Sequence, residues 1–358
     1  MGTTRDARNG HAMKVKAWPK ASLPLLLVLS FAISVGLGLY ALTALKRMLV
    51  LERGADLGRT AAGVADTLDR VLFERFGDIQ AFSNDAILRD GSSEQKITRV
   101  GQYKELYWYY SWIGATDATG RIVAATDAPA APSHGQVKAD PPADGQPVNQ
   151  PEWFEFVRRT GKVYFGQPQP SSDSHRAMAV LFAAPIRGPQ GEFRGAVAGR
   201  VPLENLRTII DKKESFHFEE DPYDWLLLDH EGVIISDKNP ANSATANLLD
   251  LQLPSAVRAA ADRQKPGFVE EMHPDRHIPV VTGYARTRGY SDFPGFDWTI
   301  LMRVDRDRAY APINKLVVMV GGIGLLVLTP VTGFGVWTSW KLIQEDRALS
   351  QASRALEE

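Results

Sequence analysis

Two arginines stand inside runs that otherwise read as apolar strands: Arg200 in GAVAGRV and Arg303 in WTILMRV. A guanidinium removed from water needs a partner. A ligand carboxylate would serve, held by the planar two-pronged fork of arginine. An internal acid or solvent would serve too, and the recurrence of the arginine at one place in two similar runs fits that structural role. His175 and Arg176 precede the apolar run from residue 177 to 184, where they add positive charge or stand as ordinary loop residues. In HPDRH, His273 and His277 have the i, i+4 spacing of some helical zinc sites. Pro274 and Pro279 oppose a helix there and no third ligand is in sight, so no metal site is expected.

Other chemistry is scarce. The 358 residues contain no cysteine, which removes thiolate nucleophiles, disulfides and cysteine-based metal sites together. There is no Gly-rich phosphate loop with a lysine, no nucleophile elbow and no phospho-accepting histidine motif. The expectation is no catalytic domain within this chain and no cofactor. With 41 basic and 42 acidic residues the net charge is −1, so nothing favours nucleic acid as a partner.

The elements that must position these residues begin with two uncharged apolar runs, Ser22 to Leu45 and Leu316 to Trp340. Each exceeds the roughly 20 residues that cross a bilayer, and residues 22–45 and 316–340 are expected to be transmembrane helices. The first is too long for a signal peptide, and no small-residue cleavage site precedes Lys46 and Arg47. Trp337 and Trp340 suit the membrane interface. Arg5, Arg8, Lys14, Lys16 and Lys20 lie before the first run, and Lys341, Arg347 and Arg354 after the second. The positive-inside tendency then puts residues 1–21 and 341–358 in the cytoplasm and the region between the runs outside.

That region opens with a helix expected over residues 46–88. Val50, Gly54, Leu57, Ala61, Val64, Leu68 and Val71 form a heptad seam suited to a dimeric stalk, or one face of a helix with no partner. Self-similarity follows. IGATDATGRIVAATD (Ile113 to Asp127) matches LLLDHEGVIISD (Leu226 to Asp237), both reading strand, Asp-x-x-Gly turn, strand. AVLFAAPIRG matches PVVTGYARTRG, and GAVAGRV matches WTILMRV, in the same order. Three matches in one order indicate a duplicated antiparallel sheet, in modules expected over residues 89–210 and 211–312. A proline-rich loop and the helical PEWFEFVRRTG fill the middle of the first copy, and HFEED (His217 to Asp221) reads as an acidic linker. Beyond the second span, Leu342, Leu349 and Leu356 recur every seven residues, as at the start of a paired output helix.

A span, a long helix, two tandem PAS-like sheets and a second span resemble the double Cache sensor region of bacterial transmembrane receptors, over about residues 46 to 312. Glu152-Trp153-Phe154 and GYSDFPGFDWTILMRV (Gly289 to Val304) are the family-like phrases. The resemblance implies an α+β fold, residues 46–315 in the periplasm of an inner-membrane protein, a homodimer, and a small-molecule ligand in the membrane-distal module. It places the pocket between one face of that sheet and a covering loop and helix, with Trp153 and Phe154 in the lid and the other face on the long helix. Such regions head chemoreceptors, histidine kinases and diguanylate cyclases, so the chain is expected to be a stand-alone sensor or the sensor part of one of these. The rival is an envelope interaction module that binds no small molecule. The amino-acid-binding subgroup carries an arginine two positions before the tryptophan and acidic residues on later strands. Here those places hold Pro151, Arg200 and Ser171, which argues against an amino acid and leaves an organic anion as the expected ligand of that module.

YWYYSW (Tyr107 to Trp112) leads into the first strand of this module. Read as a strand, it presents rings on both faces, one set for the long helix and one for the pocket. The smaller Ser111 leaves room for a ligand and draws Tyr109 to the pocket side with it. The expected ligand-binding set is Tyr109, Ser111, Trp153, Phe154, Tyr164, His175 and Arg200.

Overall fold

The longest element, α1, runs from Leu23 to Ser83 without a break. Proline is absent beyond its second residue, so nothing removes a donor from its hydrogen-bond ladder. The computed structural model describes residues 23–126, 151–170, 178–215, 224–238, 247–262 and 265–357. The N-terminal 22 residues, most of the proline-rich loop, His175 with Arg176, and the His217–Asp221 linker lie outside the described residues. The chain divides into two compact units, residues 1–50 with 310–358, and residues 51–309.

In the larger unit Asp85 caps α2 (Ala86–Asp90), and Ser92 and Gln95 form a reciprocal capping box on α3 (Ser93–Leu106). The first sheet contains β1 (Trp112–Thr116), β2 (Ile122–Ala125), β3 (Tyr164–Pro170), β4 (Met178–Arg187) and β5 (Phe193–Pro202). Helix α4 (Glu152–Thr160) joins β2 to β3 and stops at Gly161, whose φ of +61° favours glycine. After α5 (Leu203–Ser215) come β6 (Asp224–Leu228), β7 (Ile234–Asp237), α6 (Pro254–Ala261), β8 (Gly267–Met272), β9 (Pro279–Arg286) and β10 (Thr299–Asp305). The sheet orders, β2-β1-β5-β4-β3 and β7-β6-β10-β9-β8, are the same topology twice, antiparallel throughout.

The repeat holds at the level of single residues. Arg200 lies between Trp112 and Leu181, and Arg303 between Asp224 and Thr282. In the two hairpin turns Asp117 Oδ1 accepts from the Thr119 and Arg121 amides, and Asp229 Oδ1 from those of Glu231 and Val233. Gly120 and Gly232 follow at φ +88° and +86°, the left-handed step these turns need.

Both sheets pack on α1. Phe82, Phe76 and Arg75 meet the first module, through Tyr110, Phe165 and Tyr109. The second sheet takes the earlier turns. Gly54 faces the ring of Phe268, Gly58 lies on the Gly267 carbonyl, and Gly283 lies on the backbone of Leu57. Gly54, Leu57, Ala61, Val64 and Leu68 are all buried in this single chain. The heptad seam therefore closes on the chain's own second module rather than on a second copy, because three glycines let helix and sheet approach to backbone contact.

The β9–β10 connection joins the two modules. Phe293 and Phe296 sit among Phe165, Phe182 and Phe76, with ring centroids 5.3 Å apart for Phe165–Phe293 and 6.1 Å for Phe182–Phe296. Gln167 of β3 donates to the Phe296 carbonyl (3.3 Å) and accepts from the Trp298 indole (3.1 Å). Asp69 of α1 accepts from the Arg288 amide at 2.7 Å, and burial raises its carboxyl above the usual range despite that bond.

The smaller unit holds the start of α1 and most of α7 (Arg306–Glu357). Both helices contain stretches long and apolar enough to cross a membrane, and their large side chains, Leu25, Tyr40, Val318 and Leu326 among them, are exposed.

Candidate ligand-binding site

The first sheet has two dissimilar faces. On one, Ile113, Ala115, Val197, Phe182 and Ile186 are buried toward α1 and the aromatic joint. On the other, α4 lays Phe154 and Val157 onto Ala183, Ala196 and Ala198, with Trp112, Trp153, Phe156, Tyr164, Leu181 and Phe193 around them. Three alanines let the helix approach, and the larger residues form the rim.

Tyr107 to Tyr110 form a turn, not a strand, and β1 begins only at Trp112. In a turn the alternation of faces lapses, and the side chains follow their partners instead. The Tyr109 hydroxyl donates to Asp78 Oδ2 at 2.7 Å, and the Arg75 guanidinium lies 3.3 Å from its ring centre. Burial, and then the bond to Asp78, hold that phenol protonated far above its ordinary pKa. Tyr110 is fully buried, with Gly199 beneath its ring and its hydroxyl donating to the Arg75 carbonyl. Tyr107 packs edge-on to Phe82, and Trp108 is exposed. Tyr109 thus belongs with α1, which corrects the face expected for it. The residue that crosses to the α4 side is Trp112.

The other expected residues divide as follows. Ser111 is half-buried, its amide and hydroxyl both directed at the Arg200 carbonyl. Phe154 is fully buried and is core beneath α4, while Trp153 is half-buried at its edge. Tyr164 packs against Phe156 at 5.5 Å, and burial followed by the Glu152 charge raises its phenol pKa. Arg200 is half-buried, its guanidinium 5.2 Å from the Trp112 ring centre. Trp153, Phe154, Tyr164 and Arg200 are thus gathered on or beside one face, while Ser111 touches only the Arg200 backbone among the contacts described. Sequence reasoning missed Trp112, Leu181 and Phe193 there. The repeat aligns Trp112 with Asp224 and Arg200 with Arg303, and in the structure each aligned pair is a cross-strand neighbour.

Among the described residues no group of three or more His, Asp or Glu could hold a metal ion. In HPDRH, His273 Nδ1 accepts from the Asp275 and Arg276 amides at 3.2 Å each, so the motif is a turn organised by its own histidine.

A long helix carries two five-stranded antiparallel sheets of one topology. The Cache domain family model matches residues 46–313, and the chain belongs to that family. Among curated proteins it is similar to the methyl-accepting chemotaxis protein PctB of Pseudomonas aeruginosa, 26% identical over 180 residues, covering 50% of this chain and 25% of PctB. It is also similar to the methyl-accepting chemotaxis protein McpA of Pseudomonas putida, 25% identical over 213 residues, covering 55% of this chain and 30% of McpA. The chain thus matches about a quarter to a third of the length of these relatives. Among solved structures, the ligand-binding domain of the Pseudomonas fluorescens chemoreceptor CtaA with L-alanine superposes with TM-score 0.51 at 17% identity, over 72% of this chain and 99% of that one. The ligand-binding domain of PctB with L-Arg gives 0.50 at 22% identity, over 72% and 97%. These likenesses show the fold. The matched region is a sensor domain, and no catalytic domain is evident in the described residues.

Proposed function

We propose that this protein is a sensor of the bacterial inner membrane, crossing it at residues 22–45 and 316–340 with both termini in the cytoplasm. Residues 46–315 then lie in the periplasm, with the first module distal to the membrane and the second proximal. The observation that carries this reading is α1 itself, one unbroken helix that begins in an apolar run and ends beneath the first sheet. A ligand that favours one of two arrangements of the modules on such a helix biases everything continuous with it. With the α1 seam closed within the chain, pairing of two copies is assigned to α7, where Leu342 and Leu349 are exposed at heptad spacing.

The ligand assigned to the first module is a small organic anion, bound on the face of Trp112 and Arg200 beside Trp153 and Tyr164, with Ser111 nearby in the chain; His175, also expected there, lies outside the described residues. An arginine lying on an indole keeps its fork in plane for a carboxylate. Pro151 stands where the amino-acid-binding pattern has its arginine, which favours an anion over a zwitterion here. The output would be chemotactic, as the relatives' names indicate, or a kinase or cyclase.

The test is a thermal-shift screen of residues 46–313 against carboxylates, amino acids, polyamines and purines. A carboxylate should raise the melting temperature, and Arg200→Ala should abolish the shift. If only cations stabilise the protein, the anion assignment fails. If nothing in the panel does, an envelope interaction module becomes the better reading.

A further inference from the structure

At the place equivalent to Arg200, the second sheet carries an arginine that its neighbours leave unsatisfied. Arg303 is 2% exposed. Its Nη2 lies 3.7 Å from Glu271 Oε1, beyond hydrogen-bond range, and neither Nε nor Nη2 makes a hydrogen bond. Arg303 balances the charge of Glu271 without donating to it, and other groups supply the hydrogen bonds. That carboxylate accepts from the Ser255 amide and hydroxyl at 2.9 Å each and from the Thr282 hydroxyl at 2.6 Å.

Arg303 lines a cavity of about 100 Å³ on the α6 side of the sheet. One water needs only ~10–15 Å³ by this measure, so a small organic molecule fits. Leu226 and Leu248 supply apolar wall, and Asp224, Asp237 and Asp275 line the same space. Asp237 is itself buried, at 5% exposure. His273 also borders the cavity but brings no second cation at neutral pH. Burial, and then Arg303 and Arg276, lower its pKa against the opposing pull of Asp224.

The wall therefore offers one guanidinium beside several carboxylates. A plain anion would meet Arg303 but also the aspartates, and a plain amine would meet the aspartates but also Arg303. An occupant with both charges answers both. We propose that the second module binds a small zwitterion with its carboxylate on Arg303 and its ammonium between Asp224 and Asp237. It is a site separate from the one assigned to the first module and of different ligand chemistry.

The test uses the full chain in detergent micelles, with glycine and β-alanine as probes and propionate and ethylamine as single-charge controls. Millimolar glycine or β-alanine should raise the melting temperature of the wild type and of Arg200→Ala. By calorimetric titration, affinity should fall about tenfold or more in Asp237→Asn and in the double variant Arg303→Met/Glu271→Gln, which removes both buried charges together. No shift with either amino acid overturns the proposal, as does an equal shift with propionate. Loss of the shift in Arg200→Ala with retention in the double variant puts the ligand in the first module and overturns it as well. Should the double variant fail to fold, Asp237→Asn decides, and an affinity within twofold of wild type refutes the site.

Discussion

Arg200 and Arg303 occupy one position in two copies of a sheet, yet their surroundings are opposite. Arg200 lies over an indole at the edge of an aromatic face, and water reaches it. Arg303 is enclosed beside a glutamate that three other hydrogen bonds already hold. The partner strand explains the difference, since Trp112 stands where the second copy has Asp224, and Leu181 where it has Thr282. On the opposite face the copies diverge again. Phe182 in the first sheet corresponds to Gly283 in the second, so a ring fills the space in one and the backbone of α1 fills it in the other. Duplication thus preserved the frame and exchanged what each face touches.

The largest effect should come from breaking this contrast at the arginines. Arg303→Met alone strands Glu271 in the interior and should cost about 3–5 kcal/mol of unfolding free energy. Arg200→Met should cost about 1 kcal/mol or less. Urea melts of residues 46–313 compare the two, and equal costs would erase the distinction. Next, Gly283→Ala drives a methyl into the Leu57 backbone and should destabilise by roughly 1–3 kcal/mol. Phe182→Leu at the matching place should loosen the aromatic joint without moving α1, which amide exchange on α1 can report. Removing the polar tie between modules with Gln167→Leu leaves the Trp298 indole without its acceptor, at a cost of about 1–2 kcal/mol. The two modules should then melt less cooperatively.

The smallest effect concerns acid. The pKa of His273 is lowered in the fold, by burial and then by Arg303 and Arg276, while Asp224 opposes. The unfolded chain then takes up the proton first. The stability contributed by the neutral ring is present above pH ~6.5 and is lost as pH falls toward the folded value. His273→Asn should flatten the decline in urea midpoint between neutral and mildly acidic pH. An unchanged slope would show that His273 does not report on its module.

Much of this frame is visible in the amino acids. The Asp-x-x-Gly turns announce both hairpins, and the three ordered matches announce two like sheets, because turn chemistry and strand patterning are local. The faces are not local. YWYYSW invites a strand reading, but the turn at Tyr107 to Tyr110 cancels the alternation, and Asp78 with Arg75 claims Tyr109. The seam from Gly54 to Leu68 has the spacing of a coiled coil because a flat sheet and a second helix ask the same of a helix surface. Only the glycines at 58, 267 and 283 distinguish them, and they are far apart in the chain. The cavity at Arg303 was equally hidden, since its walls come from four separate stretches of sequence.

One connection in the second module has a mechanical meaning. Strand β10 ends at Asp305 and α7 begins at Arg306, with no residue between them. A flexible loop at that point would absorb a small displacement, as a slack coupling absorbs the first turn of a shaft. Here the strand that carries Arg303 is the root of the helix, and Arg276 clamps Asp305 at 3.1 Å. With no linker between them, β10 and the first turn of α7 form one continuous length of regular backbone.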